Sequence, residues 1–282
     1  MRVLVTGATG RVGSRLVPRL LERGDSVRIL LREKADREPL AQWGAEAVIG
    51  DLSAPESLGN AVAGVEAIIH LAAFFRGATE AQARATNLDG TLALARAARS
   101  NDVSRFIHIS TNLVYGPGRC RPTRETDEPQ PSTDHFYPVS KLAAEQELVQ
   151  FHQDRETDLS ILRLAFVYGD GDPHLGEAIN MTRSWPPAKR MHIVHHADVA
   201  QAIRLSLEKP QSGGQIYNVA DDTPIPISEV REMNGVAEMN VPSEAEVADP
   251  WEGIVDTAKI KRELGFRPIY PSLYEAETMK AL

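Results

Sequence analysis

Cysteine, long apolar runs and clustered positive charge are all scarce in this 282-residue sequence. Its one cysteine, Cys120, cannot make an internal disulfide, so nothing indicates an oxidising compartment. No apolar run approaches the roughly 20 residues that a membrane span needs, and the N-terminus lacks the apolar length of a signal peptide. We therefore expect a soluble, cytoplasmic protein without a membrane partner.

The charge balance is acidic, with 39 Asp and Glu against 31 Lys and Arg and a net charge of −8. Phosphate-rich partners are held by clustered Lys and Arg, so this balance argues against a nucleic-acid partner. With 42% hydrophobic residues, the chain can bury a sizeable core. The expected partner is a small-molecule substrate.

Short β-branched runs alternate with longer helical patterns over the first 165 residues. Continuous apolar strands separated by helices are typical of a parallel sheet covered on both faces, and so predict a doubly wound α/β fold. The predicted strands are residues 3–6, 27–31, 47–49, 67–71, 106–110 and 160–164.

The first predicted strand runs directly into a turn with glycine at positions 7, 10 and 13, which opens the first helix. Glycine permits the tight turn at 7, close approach of a pyrophosphate at 10, and close packing of helix on strand at 13. A plain strand-to-helix turn is the alternative, but this first junction favours a Rossmann dinucleotide site. Its predicted cofactor contacts are Gly7, Thr9, Gly10, Arg11, Val12 and Gly13.

The chain therefore divides unequally. We expect residues 1–165 to form the dinucleotide-binding domain, with sheet strands continuing later in the chain. Residues 166–192 are rich in glycine and proline, and the later pieces are short. This pattern predicts a reduced, irregular substrate-binding lobe over residues 166–282.

The end of the second strand bears on which dinucleotide binds. An NAD enzyme offers the ribose hydroxyls a carboxylate there, whereas Arg32 follows this strand. A carboxylate would repel a 2′-phosphate by about 4 kcal/mol at 4 Å and an effective dielectric near 20, while a guanidinium pairs with it. The sequence favours NADP, with NAD as the alternative because Glu33 is adjacent and Arg32 can be a solvated surface residue.

Tyr137 and Lys141 lie four residues apart on a predicted helix and so share one face. A general base at neutral pH needs the pKa of the phenol lowered from about 10 toward 7, a change worth about 4 kcal/mol. A neighbouring ammonium can supply much of this, so the pair predicts an acid/base tyrosine tuned by a lysine. A core tyrosine beside an unrelated surface lysine is the alternative.

Further motifs accompany the turn and this pair. In chain order the motifs are Thr6 to Gly13, Asp51-Leu52, Leu71-Ala72-Ala73, Asn87 to Thr91, His108-Ile109-Ser110-Thr111, Val114-Tyr115-Gly116, Tyr137 to Lys141, Leu162-Arg163, Val167-Tyr168-Gly169, His195 to Ala200 and Leu264 to Pro268. With these motifs the chain resembles, nearly from end to end, the extended short-chain dehydrogenase/reductases of the NAD-dependent epimerase/dehydratase family.

The resemblance implies roles for particular residues. Tyr137 would be the acid/base, Lys141 would also bind the nicotinamide ribose, and Thr111 would hold the substrate oxygen. Asn87 would support the cofactor site through a helix hydrogen bond, and a homodimer would form through the helices that carry Asn87 and Tyr137. The implied adenosine and ribose contacts are Asp51, Leu52, Leu71, Ala72 and Ala73.

Two departures from the family narrow the reaction. Residues 112 and 113 are Asn and Leu where the sugar-nucleotide 4,6-dehydratases carry an acid pair, so dehydration is disfavoured. Phe166 stands near the asparagine that binds the diphosphate in UDP-sugar epimerases, and a phenyl ring cannot donate a hydrogen bond. Candidate substrate contacts, or equally ordinary packing residues, are Phe74, Phe75, Asn112, Phe166 and Trp185.

Three functions follow as hypotheses. The leading one is an NAD(P)-dependent oxidoreductase acting at a carbon that bears a hydroxyl or ketone. A sugar epimerase with tightly bound cofactor and a cofactor-sensing regulator are the alternatives. No metal is expected at His192, His195, His196 and Asp198, since adjacent histidines on a strand point to opposite faces.

Overall fold

A computed structural model describes residues 1–33, 43–75, 77, 79–152, 158–236 and 247–282. The strands in these ranges are β1 (Arg2–Thr6), β2 (Ser26–Leu31), β3 (Glu46–Ile49), β4 (Ala67–His70), β5 (Arg105–Thr111), β6 (Asp158–Leu164), β7 (Phe166–Tyr168), β8 (Arg190–Met191), β9 (Ile193–His195), β10 (Gln215–Val219) and β11 (Ile225–Pro226). The helices are α1 (Arg11–Glu22), α2 (Leu58–Val62), α3 (Glu80–Arg84), α4 (Gly90–Arg99), α5 (Phe136–Phe151), α6 (His174–Met181), α7 (His196–Glu208), α8 (Ile227–Met233), α9 (Ala258–Leu264) and α10 (Leu273–Thr278).

The main sheet is parallel and has seven strands among the described residues, in the order β10-β6-β5-β4-β1-β2-β3. Each of the six predicted strands coincides with a strand of this sheet, which confirms the doubly wound α/β prediction. The strand order reverses between β1 and β4, and ligands of such sheets bind in the crevice at the carboxyl ends of those strands.

Alternation along β1 shows why both faces of the sheet are covered. Val3 and Val5 belong to one buried hydrophobic cluster, whereas Leu4 belongs to another. Successive strand residues point to opposite faces, so a strand that is apolar throughout needs a helical layer on each side. The continuous apolar runs of the sequence are the direct consequence.

The residues after 165 contribute to two parts of the molecule. Helix α7 packs beside α1, and β10 pairs with β6 at the edge of the main sheet. The lobe has a third buried cluster, built around Tyr168 and Ile193 on β7 and β9 and around α6 and α8. In the described part of the chain, no helix has the length and apolar content needed to cross a bilayer.

Candidate active site

The glycine turn after β1 needs glycine for steric reasons that the structure makes explicit. Gly7 has a φ of +72°, and a Cβ there would lie 2.7 Å from the backbone nitrogen of Ala72. A Cβ on Gly13 would lie 2.2 Å from the carbonyl oxygen of Gly7, so that glycine lets α1 approach the turn. Among the described residues, a Cβ on Gly10 would have one neighbour within 4 Å, the carbonyl oxygen of Gly7 at 3.2 Å. The space beside Gly10 is therefore open to an anion.

A cleft of about 430 Å³ lies at the carboxyl ends of β1, β2 and β4, beside this turn. The walls include backbone of the glycine turn and apolar side chains from the ends of the strands. The lining residues are Thr6, Gly7, Thr9, Gly10, Leu30, Leu31, Arg32, Gly50, Asp51, Leu52, Leu71, Ala72, Ala73, Phe74, Phe75 and Thr86. Nine of the predicted cofactor contacts thus line one cleft: Gly7, Thr9, Gly10, Arg32, Asp51, Leu52, Leu71, Ala72 and Ala73.

One end of the cleft carries a pair of opposite charges. Arg32 is exposed just beyond β2, and Asp51 follows β3. The Asp51 carboxylate accepts hydrogen bonds from the backbone N–H and the hydroxyl of Ser53, both at 2.8 Å. These bonds, with the charge of Arg32, lower the pKa of Asp51 below its usual value. Asp51 is therefore ionised at neutral pH, with a guanidinium close enough to stabilise its charge.

The side chain of Arg11 is absent from the lining of the cleft, so the predicted cofactor contact of this residue would come from its backbone. Its guanidinium pairs with Asp172 at 2.6 Å and with Glu177 at 2.8 Å, and these carboxylates raise the pKa of Arg11. Asp172 is also 2.9 Å from the ring of His196. Arg11 ties the first turn of α1 to the lobe, which leaves its backbone N–H, like that of Val12, for an anion.

Asn87 is fully buried and joins two segments of the site. Its Oδ1 accepts from the Phe74 N–H at 2.7 Å, and its Nδ2 donates to the Phe74 carbonyl at 3.0 Å and to Ser140 Oγ at 2.9 Å. Ser140 donates in turn to the carbonyl of Tyr137. Asn87 therefore fixes the loop after β4 against α5, and supports the cleft without lining it.

Lys141 lies in the interior, one turn of α5 beyond Tyr137. Its side chain is 1% exposed, and Nζ lies 3.0 Å from His108 Nε2 on β5. Burial lowers the pKa of Lys141 to about 7, because removal from water disfavours the ammonium. The alternative of a surface lysine is thus wrong.

Tyr137 departs from the prediction in its electrostatics. Its ring meets the edge of Phe75, with 4.7 Å between the ring centroids. Burial raises the pKa of Tyr137 above its usual value, since a phenolate is poorly solvated there. Among the hydrogen bonds of the described residues, none joins Tyr137 to Lys141. The predicted lowering by the lysine is therefore corrected: desolvation dominates, and the ammonium is directed at His108.

The predicted substrate residues fall in different places. Thr111 ends β5, where its Oγ1 accepts from the Leu113 N–H at 3.2 Å. Asn112 donates to the carbonyl of Gly253 at 2.9 Å, which connects this turn to the lobe. Trp185 packs against the lobe cluster, and the ammonium of Lys189 lies over its ring.

An aromatic array surrounds the tyrosine. Phe166 stacks on His174 with 4.0 Å between ring centroids, and His174 in turn meets the edge of Phe75 at 6.1 Å. Phe75 is 43% exposed and lines the cleft, and so does Phe74. Rings from the loop after β4, from β7 and from α6 therefore come together beside Tyr137.

Sequence reasoning missed a set of buried polar residues below the site. His70 on β4 is directly opposite His108 on β5, with 5.5 Å between the rings. Both ring nitrogens of His70 are engaged, by Thr6 Oγ1 at 2.7 Å and by Thr91 Oγ1 at 2.8 Å. A histidine within each of two apolar strands is the signal that could have found them, but only the register brings them together.

The histidines weighed as metal ligands have separate partners. His192 contacts the carbonyl of Asp221, His195 that of Ala281, and His196 the carboxylate of Asp172. No group of three or more His, Cys, Asp or Glu side chains converges as a metal site anywhere in the described ranges.

Comparison with known proteins identifies the family. The model of the NAD dependent epimerase/dehydratase family matches residues 3–220. A Stigmatella aurantiaca protein, 4-hydroxy-2-methyl-3-oxo-4-farnesyl-3,4-dihydroquinoline-1-oxide ketoreductase, is 32% identical over 236 residues, which cover 80% of this chain and 70% of that protein. A 3-beta-hydroxysteroid dehydrogenase of Mycolicibacterium neoaurum is 33% identical over 61% of this chain, but the match spans only 49% of that protein.

Solved structures agree with this result. A short-chain dehydrogenase/reductase superfamily protein from Agrobacterium tumefaciens with bound NAD has a TM-score of 0.79 and 27% identity, over 99% of this chain and 97% of that one. The UDP-glucose 4-epimerase of Thermotoga maritima with UDP-glucose has a TM-score of 0.80 and 26% identity, over 98% and 96%. The chain therefore belongs to the NAD dependent epimerase/dehydratase family and is an enzyme of the short-chain dehydrogenase/reductase superfamily.

Proposed function

We propose that this protein is an NADP-dependent reductase that converts a ketone on an apolar, ring-containing molecule to a secondary alcohol. The observation that carries the proposal is the aromatic array around Tyr137, beside the cleft at the glycine turn. An ordinary phenol, with a pKa near 10, keeps its proton at neutral pH, so Tyr137 can donate that proton to a ketone oxygen. Reduction of a ketone needs such a donor, whereas alcohol oxidation needs a base.

The cleft fits a dinucleotide on the evidence of its own backbone. The open side of Gly10 and the first-turn N–H groups of α1 offer the contacts that a pyrophosphate takes. When bound, the dinucleotide supplies the hydride for the reaction. Arg32 at the adenosine end would pair with a 2′-phosphate, which supports NADP over NAD.

Four residues of this chain have separate roles in the reaction at the carbonyl group of the substrate. Tyr137 Oη donates its proton to the carbonyl oxygen as that oxygen gains negative charge. Thr111, at the end of β5, donates a hydrogen bond to the same oxygen and orients it. Lys141 would stabilise the phenolate left on Tyr137 after it has given up its proton, and Asn87 keeps the loop after β4 in place.

The aromatic array supports an apolar substrate. Phe75 and Phe166 offer ring surface and no charge for a diphosphate, and Phe75 remains partly exposed at the cleft. Flat, apolar rings gain stacking and burial energy on such a surface. The ketoreductase and hydroxysteroid dehydrogenase names among the relatives support the same substrate class.

Turnover with NADPH tests the reaction. We expect oxidation of NADPH with polycyclic apolar ketones and none with UDP-glucose. Tyr137→Phe should lower kcat at least 100-fold, since a general acid contributes about 10²–10⁴-fold, and should retain NADPH binding. Tyr274→Phe is the matched control, because Tyr274 is 44% exposed on α10. Stoichiometric retained cofactor with UDP-glucose epimerisation and no net turnover would refute the reductase.

The choice of cofactor is tested separately by Arg32→Ala. Loss of a charge-assisted hydrogen bond costs about 2 kcal/mol, so the Kd for NADPH should rise about 30-fold while that for NADH stays unchanged. Arg96→Ala, on the exposed face of α4, is the control. Equal affinity of the wild-type protein for both dinucleotides would contradict the role of Arg32.

A further inference from the structure

The surroundings of Lys141 are unusual for a charged group. Its side chain is 1% exposed, and the contact with His108 Nε2 is the one hydrogen bond of Nζ among the described residues. Glu145, one turn further along α5, is the nearest carboxylate on the same helix, but it already accepts bonds from Arg163 and Ser110. The ammonium therefore depends on a neutral imidazole as its acceptor.

His108 can fill that role because it stays neutral. Its ring is completely buried, and burial together with the charges of Lys141 and His70 holds its pKa well below the usual value. Nε2 accepts the hydrogen bond of the ammonium, so the ring proton resides on Nδ1. That Nδ1 has no hydrogen-bond partner in the part of the chain that the structure describes.

Because Nδ1 has no partner within the described ranges, the hydrogen bond to Lys141 is what distinguishes His108 from an apolar residue at this position. A buried polar atom without a partner costs about 1–3 kcal/mol, and an apolar side chain on the same strand would avoid this cost. Phe106 occupies the neighbouring position on the same face of β5 and belongs to a buried hydrophobic cluster. What His108 contributes is its contact with Lys141.

We propose that His108 is a positioning residue of the Tyr137 and Lys141 pair: by accepting the hydrogen bond of Lys141 it holds the ammonium under the site and favours its charged form. This inference rests on the proposed role of that pair in the reaction. The role of His108 does not depend on which ketone is reduced.

The consequence is a defined dependence on pH. The titratable groups that interact with the ammonium among the described residues are His70 on β4, His108 on β5 and Glu145 on α5. Burial already lowers the pKa of Lys141 to about 7. Removal of the His108 acceptor destabilises the charged ammonium but not the neutral amine. The pKa of Lys141 would therefore fall further.

The experiment is an NMR titration of the lysine side chains in the full-length protein, with the signal of Lys141 assigned by its loss in Lys141→Met. His108→Phe removes the acceptor and should lower the titration midpoint by about one pH unit or more. His108→Gln places an amide oxygen near the position of Nε2 and should keep the midpoint within about half a unit of wild type. His108→Asn is too short to reach Nζ and replaces His108→Phe if that variant does not fold.

Kinetics supply the second readout. The decline of kcat with rising pH should move to lower pH in His108→Phe and stay in place in His108→Gln, with the KM for NADPH changed less than twofold in both. An unchanged midpoint in His108→Phe and His108→Asn, or an equal shift in His108→Gln, would overturn the proposal. The titration needs no turnover, so failure of the reductase assignment alone would leave the lysine midpoints as expected.

Discussion

Asn87→Asp tests the buried amide that fixes the loop after β4 to α5. The substitution keeps the size of the side chain and the oxygen that accepts from the Phe74 N–H at 2.7 Å. It removes the amide donors to the Phe74 carbonyl and to Ser140 Oγ. A protonated carboxyl keeps one O–H donor, so one of the two donated bonds is lost, and the free energy of unfolding should fall by about 1 kcal/mol, the net worth of one hydrogen bond.

Ionisation of the new aspartate adds a further loss of stability, which grows as the pH rises. A fully buried aspartate has a raised pKa in the folded state, whereas in the unfolded chain its pKa is about 3.9. The folded variant then binds more protons than the unfolded one, so stability is lost as pH rises between the two values. Each pH unit between these two pKa values lowers the free energy of unfolding by up to about 1.4 kcal/mol. The deficit should therefore grow from about 2–3 kcal/mol at pH 5 to roughly 5 kcal/mol at pH 8.

Urea unfolding followed by circular dichroism at pH 5 and pH 8 measures this deficit. Asn60→Asp is the matched control, because Asn60 is exposed on α2 and its side chain makes no such network with the residues that the structure describes. We also expect the Kd for NADPH to rise about tenfold, since the loop that Asn87 holds lines the cleft. A deficit that is equal at the two pH values, or no larger than that of Asn60→Asp, would refute this account of Asn87.

Two further predictions concern the scaffold. Gly13→Ala should destabilise the protein by about 1–3 kcal/mol and weaken NADPH binding, because its Cβ would lie 2.2 Å from the Gly7 oxygen. Gly59 lies on α2, where a Cβ would have no described residue within 4 Å, so Gly59→Ala should stabilise the protein by up to about 1 kcal/mol. Thermal unfolding and fluorescence titration measure both, and similar losses in the two variants would contradict the steric argument. Arg163→Met should cost about 3–5 kcal/mol, because it leaves the Glu145 carboxylate buried without its partner at 2.5 Å. Adding Glu145→Leu should recover most of that loss in a urea melt, and a double variant no more stable than the single one would show that packing, not charge, sets the cost.

How far the sequence alone predicts the site can be judged from particular residues. Gly7, Gly10 and Gly13 are separated by a few positions in one turn, so their spacing already specifies a local geometry. Asp51 and the residues after β4 could be placed because the carboxyl ends of parallel strands meet at one edge. The side-chain pairing of Arg11 could not be predicted, because its partners Asp172 and Glu177 lie more than 150 residues away in the chain.

The amino-acid sequence by itself determined the parallel sheet, the dinucleotide turn and the helix face that Tyr137 and Lys141 share, because each depends on local spacing and on strands that are apolar throughout. Only the tertiary structure decided the electrostatics of that pair. The pKa of a phenol or an ammonium depends on desolvation and on neighbours from other strands. His108 faces Lys141 because β5 packs under α5, and no periodicity in either segment records that contact.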